Sequence, residues 1–198
     1  MEDLEKICKK IRHSILINSY KVKACHLGSS LSAVEILVYL YWQLLERKDI
    51  FIFSKASGIS ALYAVLAEKG MMPKNKIAYY LKNYPEGVKI PGIIWVGGSL
   101  GHGLPVAVGL ALADRRRKVY CLMSDAEMQE GTTWESALFA AQHKLDNLFV
   151  LVDRNGLQAC GWTKDILYTD SLGEKFKSFG WETFCINGHN IALQDYYS

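Results

Sequence analysis

With 198 residues, 50% of them hydrophobic and 22% charged, the chain has the composition of a globular protein able to bury a sizeable core. Its formal net charge of +3 is scattered along the sequence and argues against a nucleic-acid partner; no apolar run reaches the roughly 18 residues of a membrane span. The five cysteines, Cys8, Cys25, Cys121, Cys160 and Cys185, are odd in number and widely spaced, which argues against a disulfide framework or zinc site and for a reduced, cytoplasmic protein.

From the N-terminus, residues 2–22 place Leu4, Ile7, Cys8, Ile11, Ile15 and Leu16 at helical spacing. The acids in this stretch distinguish it from a secretory signal. Next, "SSLSAVEILVYLYWQLLERK" (29–48) opens with serines fit to cap a helix and is too long for a strand. A strand "DIFIFSK", a helix "ISALYAVLAEKG" stopped at Gly70 and a helix "PKNKIAYYLKNY" with Pro73 at its start follow. Strand "GIIWVGG" (92–98) and helix "GHGLPVAVGLALADR" come next. They precede strand "KVYCLMS", helix "TTWESALFAAQHK", strand "NLFVLVD", helix "DSLGEKFKSFG" and strand "WETFCIN". The strands are continuous apolar runs, as expected where helices cover both faces of a parallel sheet. With no repeat and no low-complexity linker, the pattern predicts one α/β domain over residues 1–198. The basic run Arg115-Arg116-Arg117-Lys118 reads as a solvated turn, and the aromatics of "YLYW" and "TTWESALF" read as core.

In such sheets ligands bind beyond the carboxyl ends of the strands. The glycine clusters fall there, at 54–58, 97–103, 124–131 and 155–161. Gly101-His102-Gly103 is no dinucleotide fingerprint, because Val106 stands where the third glycine belongs. The segment still leads into a helix whose first N–H groups are unpaired, so it suits a phosphate. Asp125 and Asn155 each follow a strand and are 30 residues apart, one helix and one strand. A right-handed crossover of that length puts them on adjoining strands at one sheet edge. An Asp, an Asn and a backbone carbonyl just beyond suit a hard cation such as Mg²⁺, with room for a diphosphate. The alternative is that Asp125 caps a helix and Asn155-Gly156 is an ordinary tight turn.

The stretch "SDAEMQEGTTWESALFAAQHKLDNLFVLVDRNGLQACGWTKDI" resembles the thiamine diphosphate signature of transketolases, a G-D-G followed about thirty residues later by Asn. Four further segments, "KVKACHLGSSLSAVEILVYLY", "FSKASGISALYAVLAEKG", "GGSLGHGLPVAVGLALA" and "FGWETFCINGHN", are similar to transketolase segments in the same order. The resemblance implies a thiamine diphosphate-binding fold in which Asp125, Asn155 and the Leu157 carbonyl hold Mg²⁺, with Ca²⁺ or Mn²⁺ able to substitute. It implies that Gly101 and the N–H groups around Ala126 and Glu127 cradle the diphosphate. Glu130 and Glu135 match an acidic pair near the subunit interface that links two active sites.

The chain departs from the family at several of these positions. Ser124 and Ala126 replace the glycines of G-D-G, and Ala126 adds a methyl where backbone and diphosphate approach closely. Ala56-Ser57 replaces Gly-His, removing an imidazole that faces substrate. The loop before "PGIIWVGG" is short and lacks the family's G-H-P. His26 is retained, either as a contact to diphosphate or substrate or as a structural histidine. His102 stands where many relatives have Gln and reads as a loop-shaping or diphosphate-side residue; His189 reads as structural. The glutamate that activates the aminopyrimidine ring lies, in this family, in a later domain, and the sequence ends at Ser198. The resemblance therefore implies the N-terminal subunit of a split, transketolase-like enzyme that moves a two-carbon ketol unit between small sugars. Its partner would be a C-terminal subunit carrying the pyrimidine-binding domain, with a homodimer alone and an α2β2 assembly together. The alternatives are a component of another thiamine-dependent acyloin or 1-deoxyketose synthase, an E1-like component, or a decayed cofactor-binding relic.

Overall fold

The computed structural model describes residues 3–83, 93–95 and 97–191. The chain forms two compact units: Met1–Glu46 with Ser57–Ile93 and Ile186–Ser198, and Arg47–Ala56 with Ile94–Cys185.

The first unit is helical. Helix α1 (Leu4–Val22) starts where Asp3 accepts the Lys6 N–H at 3.2 Å, and buries Ile7, Cys8, Ile11 and Ile15. That spacing is the apolar stripe of the sequence, and burial among these residues pushes the Cys8 thiol up to about 12. The stripe packs on α3 (Val34–Tyr39), α4 (Ile59–Glu68) and α5 (Ile77–Lys82). The long helix expected over 29–48 is broken into α2 (Leu27–Ser32), α3 and a π-helical turn, Leu40–Leu44. At the break the Ser32 hydroxyl donates to the Ser29 carbonyl at 3.1 Å, a side-chain bond that competes with the helical ladder. Arg12 on α1 holds Glu35 on α3 through bonds of 2.8 and 2.9 Å, and His189 Nδ1 lies 3.1 Å from the same carboxylate.

The second unit holds the sheet. Strands β1 (Ile50–Phe53), β2 (Val119–Ser124) and β3 (Leu148–Asp153) are parallel, in the order β1-β2-β3. The register pairs Ile50 with Val119 and Ser124 with Asp153. All of β2 is buried, which is why its sequence is a continuous apolar run rather than an alternating one. Helix α6 (Gly103–Ala113) packs on all three strands and on α7 (Gly131–Gln142). Gly103 lets α6 start against the end of β1, because a Cβ there would lie 2.9 Å from the Ser54 Cα. The core runs from Ile50 and Ile52 through Leu104, Ala107, Cys121 and Met123 to Phe176. A short hairpin of β4 (Leu157–Gln158) and β5 (Gly161–Trp162), then α8 (Thr163–Ile166) and α9 (Leu172–Ser178), complete the unit.

The expected parallel α/β architecture is present, with two differences. "WETFCIN" forms no strand. Trp181 instead donates from Nε1 to the Ala137 carbonyl at 3.0 Å and packs edge-on against Phe176, while Phe184 and Cys185 stay exposed. Of the strand expected over 92–98, residues 92 and 96 lie outside the described residues, and the others are in no strand. The loop before it, with residues 84–91, also lies outside them. The basic run is not simply solvated: Arg115 donates to the carbonyls of His143 and Lys144 at 2.8 Å each, and Arg117 to that of Lys48 at 2.6 Å.

Candidate functional site

Because Ser124 and Asp153 are register partners, the turns after β2 and β3 leave the sheet side by side. Asp125 opens a 3₁₀ turn, Asp125–Gln129. Its Oδ2 accepts the Gly156 N–H at 2.8 Å and the Thr163 hydroxyl at 3.1 Å, so it ties the turn after β2 to the segment after β3. The residue is 3% exposed, and its Oδ1 is buried without a hydrogen-bond partner. Asn155 Oδ1 accepts the Leu157 N–H at 2.9 Å, and Gly156 takes φ +75°. Asn155-Gly156 is thus a tight turn, and it is also the turn that meets Asp125. The side-chain bonds of Asp125 run across to that segment, not to the start of α7.

Glu127 is the hub of the neighbouring loop. Its fully buried carboxylate accepts the Ser54 hydroxyl, the Gly101 N–H at 3.2 Å, and the Ser124 N–H and hydroxyl at 2.8 and 3.2 Å. Gly101 needs its φ of +75°, and a Cβ there would lie 2.7 Å from both the Glu130 Cβ and the Thr132 hydroxyl. Its N–H, expected to face a diphosphate, is bonded to Glu127. Replacing this carboxylate strands several buried donors at once. Glu127→Ala is expected to cost about 3 kcal/mol or more, read as a lower urea midpoint at unchanged slope. A midpoint equal to wild type would remove Glu127 from this role.

Lys55, just past β1, is 1% exposed and donates to Asp153 Oδ2 at 2.5 Å. Burial holds its ammonium below the ordinary lysine range, and the Asp153 charge opposes that shift. Gln129 clips the far side of the site, donating to the Thr163 and Leu167 carbonyls at 3.1 and 2.7 Å. Ala126 is half-buried. His102 is exposed with Nδ1 2.9 Å from the Leu100 carbonyl, at the N-terminal end of α6. Glu130 and Glu135 are exposed, at the head of α7 and on it. His26 belongs to the helical unit, where it is exposed in a left-handed conformation (φ 62°) at the start of α2. Ser57 lies in that unit too, its hydroxyl 2.7 Å from that of Ser29. The structure thus gathers Gly101, Ser124, Asp125, Glu127, Asn155 and Leu157 at one sheet edge. The residues that sequence reasoning passed over there are Lys55, Asp153 and Thr163.

The family model for the transketolase thiamine diphosphate-binding domain matches residues 5–194. The chain belongs to the transketolase family. It is 43% identical to an apulose-4-phosphate transketolase subunit of Actinobacillus succinogenes, over 96% of this chain and 76% of that protein. It is 35% identical to a 6-deoxy-6-sulfo-D-fructose transketolase subunit of a Clostridium species, over 95% of this chain and 75% of that one. Among solved structures, the Campylobacter jejuni transketolase superposes with a TM-score of 0.85 at 25% identity, covering 97% of this chain and 35% of that one. The chain therefore spans about three quarters of those subunits and about a third of that full-length transketolase.

As a transketolase-family, thiamine diphosphate-binding domain, the chain needs a place for a diphosphate with its charge offset. The unpartnered Asp125 Oδ1 fits that need, since an ionisable oxygen buried without a donor is costly unless a cation meets it. Among the described residues no group of three or more His, Cys, Asp or Glu side chains could hold a metal. A cation here would rest on one carboxylate and neutral oxygens, the pattern of Mg²⁺ bound together with phosphate. The Ala126 backbone itself carries no left-handed strain, since among the described residues the non-glycine positions with positive φ are Lys23, His26 and Lys144. Ala126→Gly is therefore expected to bind thiamine diphosphate at least as tightly as wild type while losing up to about 1 kcal/mol of stability. Calorimetry checks this, and weaker binding would show that the methyl is a fitted part of the site.

Proposed function

We propose that this chain is the diphosphate-binding subunit of a two-component, thiamine diphosphate-dependent enzyme that transfers a two-carbon ketol unit from a ketose donor to an aldose acceptor. The observation that carries the reading is the buried, unpartnered Asp125 Oδ1 beside the Asn155-Gly156 turn. Asp125, the Asn155 amide oxygen and the Leu157 carbonyl hold a divalent cation, Mg²⁺, for which Ca²⁺ or Mn²⁺ can substitute. The 3₁₀ turn around Ala126 and Glu127, with Gly101-His102 and the small Ser124 beside it, would hold the diphosphate, although the Gly101 N–H itself is engaged by Glu127. When bound, thiamine diphosphate supplies the carbon that takes up the ketol unit; the chain binds, orients and desolvates that cofactor.

The partner is a C-terminal transketolase-like subunit carrying the pyrimidine-binding domain, and the substrates are small sugars or sugar phosphates. The names of the relatives support a partner subunit and a sugar substrate, one being called an apulose-4-phosphate and the other a 6-deoxy-6-sulfo-D-fructose transketolase subunit. Glu130 and Glu135 sit at the subunit interface in this proposal, and the cytoplasm is the expected location. The decisive assay combines the chain with its pyrimidine-domain subunit, thiamine diphosphate and Mg²⁺, and follows two-carbon transfer over a panel of ketoses and ketose phosphates. Absence of transfer from every donor, with both subunits folded and associated, would overturn the proposal.

A further inference from the structure

The end of β1 is bent so that two consecutive residues reach in different directions. The N–H groups of Ser54 and Lys55 both donate to the Leu122 carbonyl, at 2.9 and 3.0 Å. From there the Ser54 hydroxyl goes to Glu127, on the turn after β2. The Lys55 ammonium goes to Asp153, the last residue of β3. Strand β2 lies between β1 and β3, so the Lys55 side chain spans the end of β2 to reach Asp153. Lys55 is 1% exposed and Asp153 6%, and each is engaged by the other through this ion pair, whereas the Asp125 Oδ1 has no hydrogen-bond partner.

Burying an ammonium and a carboxylate is expensive, and apolar residues of similar volume would commonly serve stability as well or better. The presence of this pair therefore points to something other than stability. The charges suggest what it is. Three buried acids, Asp125, Glu127 and Asp153, stand at this sheet edge with one buried lysine, Lys55. Their formal sum is −2, the complement of one divalent cation. Without the lysine it would be −3, which suits a cation but repels the diphosphate that must sit on it.

We infer that Lys55 is a positioning residue for the cation and diphosphate site: through Asp153 it locks the end of β3, and so the Asn155 turn, at a fixed spacing from Asp125, and it trims the buried charge to that of a single divalent ion. The inference rests on the proposed assignment of Asp125 as a cation ligand. It goes beyond that assignment in giving a role to a residue outside the proposed ligand set.

The test uses the full 198-residue chain with Mn²⁺ and inorganic diphosphate, the end of the cofactor this chain is proposed to bind, and counts bound Mn²⁺ by electron paramagnetic resonance. Lys55→Met and Asp153→Asn are each expected to weaken diphosphate-dependent Mn²⁺ binding at least fivefold. The double variant should lose no more than the worse single one, because both act through one pair. Lys55→Arg, which keeps the charge, should recover part of the loss. Should a single variant fail to fold, Lys55→Met/Asp153→Leu carries the test of the lock alone, since it removes the pair and leaves the formal sum at −2, from Asp125 and Glu127. That variant should hold its circular dichroism spectrum and still lose fivefold or more. Binding within fivefold of wild type in any folded variant lacking the pair would overturn the inference and leave Lys55 a structural residue. Asp125→Ala is the control for the underlying assignment: if it too retains binding, the cation site itself is wrong.

Discussion

Asp125→Ala is expected to lower Mg²⁺-dependent binding of thiamine diphosphate at least 100-fold, the largest single-site effect on the cofactor. The expectation follows from where its two carboxylate oxygens are. Oδ2 is occupied by the Gly156 N–H and the Thr163 hydroxyl, and Oδ1 has no protein partner. Losing the first oxygen loosens two hydrogen bonds and costs about 1–3 kcal/mol of stability. Losing the second removes the only charged oxygen of the proposed ligand set. Asp125→Asn separates the two effects, because an amide oxygen still accepts from Gly156 and Thr163 but carries no charge. It should melt close to wild type and still bind the cofactor poorly. Asn155→Ala should lose less, since Asn155 contributes a neutral oxygen and the bond that closes its own turn. Calorimetry on the complex with the partner subunit measures all three, and undiminished affinity in Asp125→Asn would end the metal-site assignment.

Much of this site is readable from strand ends and spacing. Asp125 and Asn155 can be brought together because parallel strands joined by a right-handed crossover leave one sheet edge side by side, and register pairing of Ser124 with Asp153 does so here. What escapes sequence reasoning is the layer beneath. Glu127 looks like one more acid in an exposed turn, and only the fold turns its carboxylate inward to collect donors from Ser54, Gly101 and Ser124. Lys55 carries a fainter signal, an ionisable residue directly after an apolar strand. Its partner is 98 residues away, and no local rule pairs them. The missing strand at "WETFCIN" fails for a related reason. A run rich in strand-forming residues marks a segment that could pair, but a strand also needs a neighbour with free backbone groups, and that is a property of the whole sheet.

The purified chain, given thiamine diphosphate, Mg²⁺ and a panel of sugar phosphates, is expected to show no ketol transfer until the partner subunit is added. Ring activation needs a carboxylate free to exchange a proton with the aminopyrimidine, and the buried acids of this sheet edge are already engaged. Glu127 accepts from Ser54, Gly101 and Ser124, and Asp153 pairs with Lys55. Asp125 binds Gly156 and Thr163 through one oxygen, and the other, buried without a partner, is the proposed cation ligand. None is left for the ring. We expect assembly through α6 and α7, which pack together and expose Leu112, Leu138 and Phe139 at 41%, 51% and 44%. Obligate interfaces of this kind commonly bury over roughly 2,000 Å², so the chain alone should sediment as a homodimer and the mixture as an α2β2 complex. Leu138→Lys/Phe139→Glu should shift the homodimer toward monomer without lowering the melting temperature by more than a few degrees, since both side chains are exposed within the protomer. Analytical ultracentrifugation reads that shift, and steady-state turnover reads the dependence on the partner. Robust transfer by the chain alone would mean that a carboxylate within its own sequence activates the ring, and the division of the active site between two chains would have to be given up.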